Sequence, residues 1–215
     1  VRYSLMIAVT PRQAAKRDQI RAAARRLFLE NGFAETSMDA VTAAAGVSKQ
    51  TLYRYYESKS ALFGDVLGQL IAEPRPPIGG GPAETAPRNL GDLQRLLVVA
   101  SRRYLARVME PEQLALLRVV IAEGSRFPDL TESFRTTVPA AGGVVIMSAL
   151  EGARTSGLLA EWVDLRTAAR AFAGLLIGFI LRDGLLVAEP KLPGERQVAE
   201  LVRIFVAGVG SGRTA

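Results

Sequence analysis

Helical periodicity runs through nearly the whole chain and constrains its fold more than any other feature. Apolar residues recur at spacings of three and four, as in Ile20, Ala24 and Leu27, which places them on one face of a helix. Further segments with this period span 90–109, 111–124, 129–137, 139–157, 165–187 and 194–208. No sustained alternation of apolar and polar residues indicates a strand. The chain is therefore predicted to be all-α.

Composition removes several classes of function. The 215 residues include no cysteine and no histidine. This excludes disulfide frameworks, thiolate or imidazole metal sites, and catalysis that depends on a cysteine nucleophile or a histidine base. No metal and no cofactor are predicted. The longest uncharged segments, 136–150 and 171–181, are shorter than the ~18 apolar residues that a membrane span needs, so no membrane partner is predicted either.

Positive charge is concentrated near the start of the chain. Residues 1–59 carry 10 Lys and Arg against 5 Asp and Glu, whereas the remaining 156 residues carry 17 against 16. A concentrated basic segment attracts polyanions, with nucleic acid the commonest partner and anionic membrane the next. Ordinary solvated helix surface has the same composition, so the motifs must decide between these interpretations.

The segment from Thr36 to Tyr56 has the pattern of a helix-turn-helix. Thr36 and Asp39 form a pair of capping-box type, which predicts the start of a short helix. Gly46 supplies the turn, and Ser48 is a suitable N-cap for the second helix. In this motif the second helix lies in the major groove of DNA.

Small and apolar side chains are predicted to pack between these two helices, and polar ones to face outward. The predicted packing residues are Ala43, Ala44, Ala45, Val47 and Leu52. The predicted outward residues are Lys49, Gln50, Thr51 and Arg54. Side chains of these outward types bond phosphate oxygens and base edges, so the motif favours binding to duplex DNA.

The segment 18–67 resembles the DNA-binding domain of the TetR family of bacterial transcriptional regulators. The matching residues are Ala24, Leu27, Phe28, Gly32, Phe33, Thr36 to Met38, Ala45 to Ser48, Thr51 to Tyr56, Ser58, Lys59 and Leu62. The resemblance implies an N-terminal helix-turn-helix domain and a larger C-terminal helical domain for ligand binding and dimerisation. It implies a sequence-specific regulator, a repressor that a small-molecule ligand releases from its operator. It further implies a homodimer, a near-palindromic operator and the bacterial cytoplasm.

The resemblance also assigns roles in DNA binding to individual residues. Ser37 and Ser48 are expected to bond phosphates near the helix starts, and Lys49, Gln50 and Thr51 to approach base edges. Arg54 faces outward with them, while Tyr53, Tyr55 and Lys59 are expected to hold the phosphate backbone. Gln50 stands where many relatives have glycine, which adds an amide able to read a base. Tyr56 is expected to stay in the core.

Four regions are predicted along the chain. They are a basic N-terminal tail (1–17), the DNA-binding domain (18–72), a linker rich in proline and glycine (73–89) and the ligand-binding and dimerisation domain (90–215). Five prolines and three consecutive glycines between residues 74 and 87 suit neither helix nor strand. The resemblance implies that helices 139–157 and 165–187 pair with their symmetry mates, although the same helices could pack within one chain.

Aromatic and sulfur-containing side chains of the second half are candidates for lining a ligand pocket. They are Tyr104, Met109, Phe127, Phe134, Met147, Trp162 and Phe172. Each of them is also a candidate for ordinary core packing. Because few ionisable residues interrupt the apolar stripes, a hydrophobic or cationic-aromatic ligand is favoured over a highly anionic one.

Two other classes of function remain open at this stage. One is an all-helical enzyme, whose carboxylates Glu110, Glu112 and Glu123 lie on neighbouring turns but have no visible partner base. The other is a nonspecific architectural DNA-binding protein, which would not need about 130 residues of apolar second half.

Overall fold

The computed structural model describes residues 11–71 and 86–211, so residues 1–10 of the predicted tail and most of the predicted linker lie outside it. The described backbone forms α-helices and one π-helical segment, and its one β-bridge pairs Leu159 with Gly210. The helices are α1 Pro11–Glu35, α2 Met38–Ala45, α3 Lys49–Tyr55, α4 Lys59–Ile71, α5 Leu90–Val108, α6 Pro111–Glu123, α7 Pro128–Thr155, α8 Leu165–Phe179 and α9 Glu195–Val209. The predicted all-α fold is confirmed.

Helix α1 begins earlier than predicted and is interrupted at Gly32, the predicted stop, before it ends at Glu35. It starts at Pro11, a residue suited to the first helical position, so residues 11–17 are helical rather than part of a tail. Gly32 has φ 77° and ψ −177°, which interrupts the helix before its last residues. Because side chains are strained at this positive φ, glycine is the residue that permits the break.

Helix α7 replaces the two helices predicted for 129–137 and 139–157. It runs without interruption from Pro128 to Thr155 and therefore passes through Pro139. A proline inside a helix removes one backbone hydrogen bond and its ring crowds the carbonyl of the preceding turn, yet α7 continues through this position. The predicted break at Pro139 is therefore wrong.

The segment predicted as one helix from 165 to 187 changes its hydrogen-bonding pattern before it ends. Helix α8 stops at Phe179, and Ile180–Leu185 is π-helical. The guanidinium of Arg118 donates to the carbonyl oxygens of Gly184 (3.0 Å) and Leu185 (3.4 Å). This side chain satisfies carbonyls that the end of the π-helical segment leaves without helical partners.

The described chain forms two compact units. The first contains α1–α3, α4 through Val66, and the separate segment Val119–Phe134, which is the end of α6 and the start of α7. Its buried aromatic cluster joins Phe28, Phe33 and Phe63, with ring centroids 4.9–5.9 Å apart. This division differs from the predicted domains 18–72 and 90–215, because residues 119–134 pack with the helix-turn-helix.

The second unit contains Leu67–Arg118 and the chain from Arg135 onward. Its core includes the fully buried residues Leu93, Leu97, Leu114, Phe172 and Val202. The rings of Phe172 and Phe205 join α8 to α9 with centroids 4.7 Å apart. None of the described helices is both long enough and apolar enough to cross a bilayer.

Candidate nucleic-acid interface

The first helix of the motif is capped by Ser37, not by Thr36 as predicted. The Ser37 Oγ accepts the N–H of Ala40 at 3.0 Å and thereby satisfies a donor at the start of α2. Thr36 is buried, and its hydroxyl donates to the carbonyls of Gly32 (2.7 Å) and Leu27 (3.1 Å). The Thr36 side chain is therefore held at the break in α1 and cannot cap α2.

The turn of the motif forms at Gly46, as predicted. Gly46 has φ 58° and ψ 41°, the left-handed conformation that ends many helices. Its N–H donates to the carbonyl of Ala43, and the N–H of Val47 donates to that of Thr42. The paired hydrogen bonds close the end of α2 and direct the chain into α3.

Fewer residues pack between α2 and α3 than predicted. Val41, Ala45 and Leu52 are buried, but Ala43 and Ala44 are exposed. Consecutive helical residues point about 100° apart, so a run of three alanines cannot face one neighbour together. The Gln19 amide of α1 donates to the carbonyl of Ala45 at 2.7 Å and so binds the C-terminal end of α2.

The outward face of α3, which consists of Lys49, Gln50, Tyr53 and Arg54, is exposed. Tyr53 is 51% exposed although it is a large aromatic residue. The Arg54 guanidinium lies 5.3 Å from the centroid of the Tyr55 ring, which is half-buried. This face presents an ammonium, an amide, a phenol and a guanidinium to solvent, the groups that bond phosphates and base edges.

The predicted base-reading residue Thr51 has a partly structural role. Its N–H donates to the Ser48 Oγ at 3.1 Å, and the two hydroxyl oxygens are 2.9 Å apart. Thr51 is half-buried while Ser48 is exposed. Ser48 is thus the N-cap of α3, as predicted.

Lys49 is paired with a carboxylate that sequence reasoning did not assign to the interface. Its Nζ lies 2.8 Å from an Asp39 Oδ, and both side chains are about two-thirds exposed. The hydrogen bond to Asp39 raises the pKa of Lys49 above its ordinary value. A carboxylate of α2 therefore lies beside the outward face of α3 and is paired with one of its cations.

Lys59 was predicted to hold a phosphate, but the structure places its ammonium at the connection between α1 and α2. The Nζ donates to the carbonyls of Phe33 (2.6 Å) and Ala34 (3.0 Å). It also lies 4.5 Å from the centroid of the Phe33 ring. Partial burial lowers the pKa of Lys59. This donor is bound to the protein backbone, away from the outward face of α3.

Tyr56 is buried, which confirms its predicted core position. Its hydroxyl donates to Asp65 at 2.5 Å, and Asp65 also accepts from Arg17 (3.0 Å) and Arg21 (3.3 Å). Burial, together with the hydrogen bond to Asp65, raises the pKa of Tyr56 to about 12. The network joins α1 and α4 through the residue that ends α3, so it fixes the recognition helix on the rest of its unit.

Two family models match separate parts of the chain. Residues 20–66 match the family model described as "Bacterial regulatory proteins, tetR family". Residues 95–208, more than half of the chain, match the model "AefR-like transcriptional repressor, C-terminal domain". The chain belongs to the TetR family. It is a DNA-binding transcriptional regulator, and the family to which it belongs is not a family of enzymes.

Individual relatives agree with this assignment. The solved structure of the Flavonoid-responsive Regulator FrrA is 31% identical, with a TM-score of 0.65 over 94% of this chain and 100% of that one. A TetR regulator from Agrobacterium tumefaciens, at 22% identity and TM-score 0.66, covers 95% of this chain and 97% of its own, and shows the fold. The regulator named for mycofactocin biosynthesis, MftR of Mycobacterium tuberculosis, is 47% identical over 36 residues, which span 17% of this chain and 18% of that relative.

TetR regulators act as dimers, and one surface of the second unit is exposed and apolar. This surface, here called the α8–α9 face, consists of Ala171, Gly174, Leu175, Ile177, Gly178 and Ile204. A groove of about 520 Å³ lies along it, lined by Leu175, Phe179, Leu201 and Ile204 together with the polar side chains of Arg196, Gln197 and Glu200. In α7, which was predicted to share the interface, Ala149, Leu150 and Ala153 are buried in the same chain. Among the residues whose side chains the structure describes, α9 therefore adds exposed apolar surface beside α8.

The structure does not gather the seven predicted ligand-lining residues into one place. Phe127 belongs to the first unit, where its ring meets that of Phe33 at 5.1 Å, and Phe134 lies in the same unit. Trp162 is 77% exposed, so it lines no enclosed cavity. Met109 and Phe172 are buried in the second unit, and Tyr104 and Met147 are half-buried there. These four remain candidates.

Proposed function

We propose that the chain is a repressor that binds a near-palindromic operator as a homodimer and leaves it when a small molecule binds. The observation that carries this proposal is the outward face of α3, four exposed polar side chains on a helix that is fixed by its N-cap, its turn and the Tyr56 network. In the helix-turn-helix this helix enters the major groove. Since operator DNA in bacteria lies in the cytoplasm, the regulator acts there.

Eight of the nine predicted residues keep their proposed contacts with DNA. They are Ser37, Ser48, Lys49, Gln50, Thr51, Tyr53, Arg54 and Tyr55. Gln50 and Arg54 carry base readout, because an amide and a guanidinium can each form two hydrogen bonds to one base edge. Tyr53 and Tyr55 bind phosphates. Lys59 is withdrawn from this set, because its ammonium is bound to two backbone carbonyls.

Dimerisation through the α8–α9 face supports the symmetry of the operator. Glycines in α8 have open space around their Cα atoms in the single chain, which allows another helix to approach closely. A twofold axis would present two α3 helices to half-sites roughly 34–36 Å apart, about one turn of DNA. A near palindrome follows from that symmetry.

The ligand is proposed to be flat and largely apolar. The second unit is rich in apolar side chains, and Tyr104 and Met147 are half-buried residues that could contact an aromatic compound. The relative FrrA is named as flavonoid-responsive, so flavonoids are the first probes to test. A coupling of about 1–3 kcal/mol between ligand and DNA would lower operator affinity by roughly 5- to 150-fold.

One experiment tests the proposal in two steps. The full chain is used to select bound fragments from a pool of random duplex DNA, and enriched fragments are sequenced and titrated. A near-palindromic consensus is expected, and a flavonoid panel is then screened for compounds that release it. Enrichment of unrelated sequences, or a consensus without symmetry, would contradict the proposed mode of binding. A variant with Arg54→Ala serves as the control, because it should lose preference at the bases that α3 reads.

A further inference from the structure

The break in α1 leaves two peptide groups with unusual partners. After Gly32, the N–H groups of Phe33 and Ala34 donate to the two carboxylate oxygens of Glu123, at 2.8 and 2.7 Å. Glu123 is the last residue of α6 and lies about 90 positions further along the chain. One carboxylate thus binds two successive backbone donors. Hydrogen bonds to an ionised acceptor are shorter and roughly twice as strong as neutral ones.

Lys59 completes the same arrangement from the opposite side. Its ammonium donates to the carbonyl oxygens of Phe33 and Ala34, so a cation and an anion together bind both polar groups of each residue. The carboxylate comes from α6 and the ammonium from α4. The connection between α1 and α2 is therefore held by charged side chains of two other helices.

The Glu123 carboxylate and the Lys59 ammonium, together with the peptide groups of Phe33 and Ala34 that they bind, form what is here called the clamp. Its surroundings are closely packed. The rings of Phe33 and Phe127 meet with centroids 5.1 Å apart, and the Lys59 ammonium lies beside the pair, 4.5 and 5.8 Å from the two centroids. A Cβ on Gly32 would stand 2.9 Å from the nearer oxygen of Glu123. A larger residue at position 32 would therefore push this carboxylate aside, in addition to the strain of the positive φ. In such partly dry surroundings, hydrogen bonds are stronger than in water.

The clamped residues lie directly before the DNA-binding motif. Ser37, which caps α2, follows Ala34 by three positions, and the Thr36 hydroxyl between them is bonded to the carbonyl of Gly32. We propose that Glu123 is a positioning residue for operator binding, which acts by fixing where α2 begins relative to α1. This inference rests on the proposed function, because it concerns how the helix-turn-helix is held for sequence reading.

Electrostatics and positioning predict opposite effects when the charge of Glu123 is removed. Glu123→Gln adds one unit to a net charge of +6, and a more positive protein binds any DNA more tightly. Glutamine has one acceptor oxygen in place of two, so one backbone N–H would face an amide NH2 group. If Glu123 positions the motif, operator affinity falls although the net charge has become more favourable.

The test compares Glu123→Gln with Glu30→Gln, an exposed residue of α1 in the same unit. Affinities for the selected operator and for a scrambled duplex are measured by fluorescence anisotropy at one salt concentration, with a melting curve for each protein. Glu123→Gln is expected to lose about tenfold in operator affinity. It should bind the scrambled duplex as well as the wild type does, or better. Glu30→Gln should bind neither duplex more weakly.

Three results would count against the inference. Unchanged operator affinity in Glu123→Gln would overturn the inference and leave the proposed function standing. Equal losses of affinity for both duplexes, together with a lower melting temperature, would do the same. A wild-type chain that selects no DNA sequence would overturn the proposed function, and the inference with it. The control protein distinguishes these cases from a general charge effect.

Amide exchange in the wild-type protein gives a second measurement that needs no variant. The N–H groups of Phe33 and Ala34 are expected to exchange slowly, because the carboxylate binds them both. Exchange of these two amides at the rate of an unstructured peptide would overturn the inference. Where Glu123→Gln folds, these amides should exchange faster while that of Ala40, which is bonded to Ser37, stays unchanged.

Discussion

The outward face of α3 and the α8–α9 face are both exposed, but their chemistry is opposite. The first presents Lys49, Gln50, Tyr53 and Arg54, and the second presents leucine, isoleucine, alanine and glycine. A polar face suits a partner that is itself charged and hydrated, such as DNA. An apolar face with small residues suits a close protein partner, such as a second copy. The contrast indicates that the two surfaces bind different partners and can be altered separately.

The largest effect is expected from a charge on the α8–α9 face. In Gly178→Glu the new Cβ meets no atom within 4 Å in the single chain, so the fold should tolerate it. The dimer should dissociate, and operator affinity should fall roughly 100-fold or more because the two half-sites no longer bind together. Sedimentation and operator titration measure both. Ala106→Glu, at an exposed position of α5, is the matched control. A dimeric Gly178→Glu protein would show that this face is not the interface.

A smaller and qualitatively different effect is expected on the outward face of α3. Gln50→Ala should relax base preference at one or two operator positions, at about 1–3 kcal/mol for the preferred base. Tyr53→Phe removes a hydroxyl that is proposed to bind phosphate, so it should weaken binding to all sequences alike. Titration against single-base operator variants separates the two patterns. The assignment of Gln50 to base readout would be wrong if its variant weakened every sequence equally.

The next comparison is between two lysines of the same unit. An ammonium at the base edges also lies between the phosphates of the groove, so Lys49→Ala should reduce the slope of log affinity against log salt by up to about 0.9, the value for one neutralised phosphate. Lys59→Ala should leave that slope unchanged, because its ammonium is bound to backbone carbonyls, and should lower the melting temperature on the order of a few degrees. The two predictions are checked by titrations at four or more salt concentrations. A reduced slope for Lys59→Ala would return it to the DNA interface.

The smallest effect is expected from the carboxylate next to α3. Asp39→Asn removes the partner of Lys49 and a negative charge close to the DNA, so affinity for all duplexes should rise slightly. The double variant Asp39→Asn with Lys49→Ala has no lysine to free. The part of the affinity gain that depends on Lys49 should therefore be absent from it. A double-mutant cycle on scrambled DNA measures this coupling. Purely additive effects would mean that the ion pair has no influence on DNA binding.

Features set by neighbouring residues could be predicted from the sequence, and features set by distant contacts could not. The turn at Gly46, the cap at Ser48 and the extent of α6 depend on short-range signals, and all were predicted correctly. The role of Glu123 was missed, because its partners lie about 90 residues away and the sequence shows it only as one of several glutamates. The contacts of Lys59 with the backbone were missed for the same reason. Lys59 stands at a position that matches the family pattern, but its ammonium packs against the rings of Phe33 and Phe127, and this contact cannot be seen in the sequence.

The discontinuous make-up of the first unit has a consequence for engineering. The simplest chimeric regulator would graft the DNA-binding head onto a foreign sensor domain at a single junction. In this chain a cut near residue 72 would leave behind 119–134, which supply the Glu123 carboxylate and the Phe127 ring. The transplanted head would then carry Phe33 and Ala34 amides without their acceptor. A working graft therefore has to carry both segments, or to replace Glu123 with a carboxylate from the recipient.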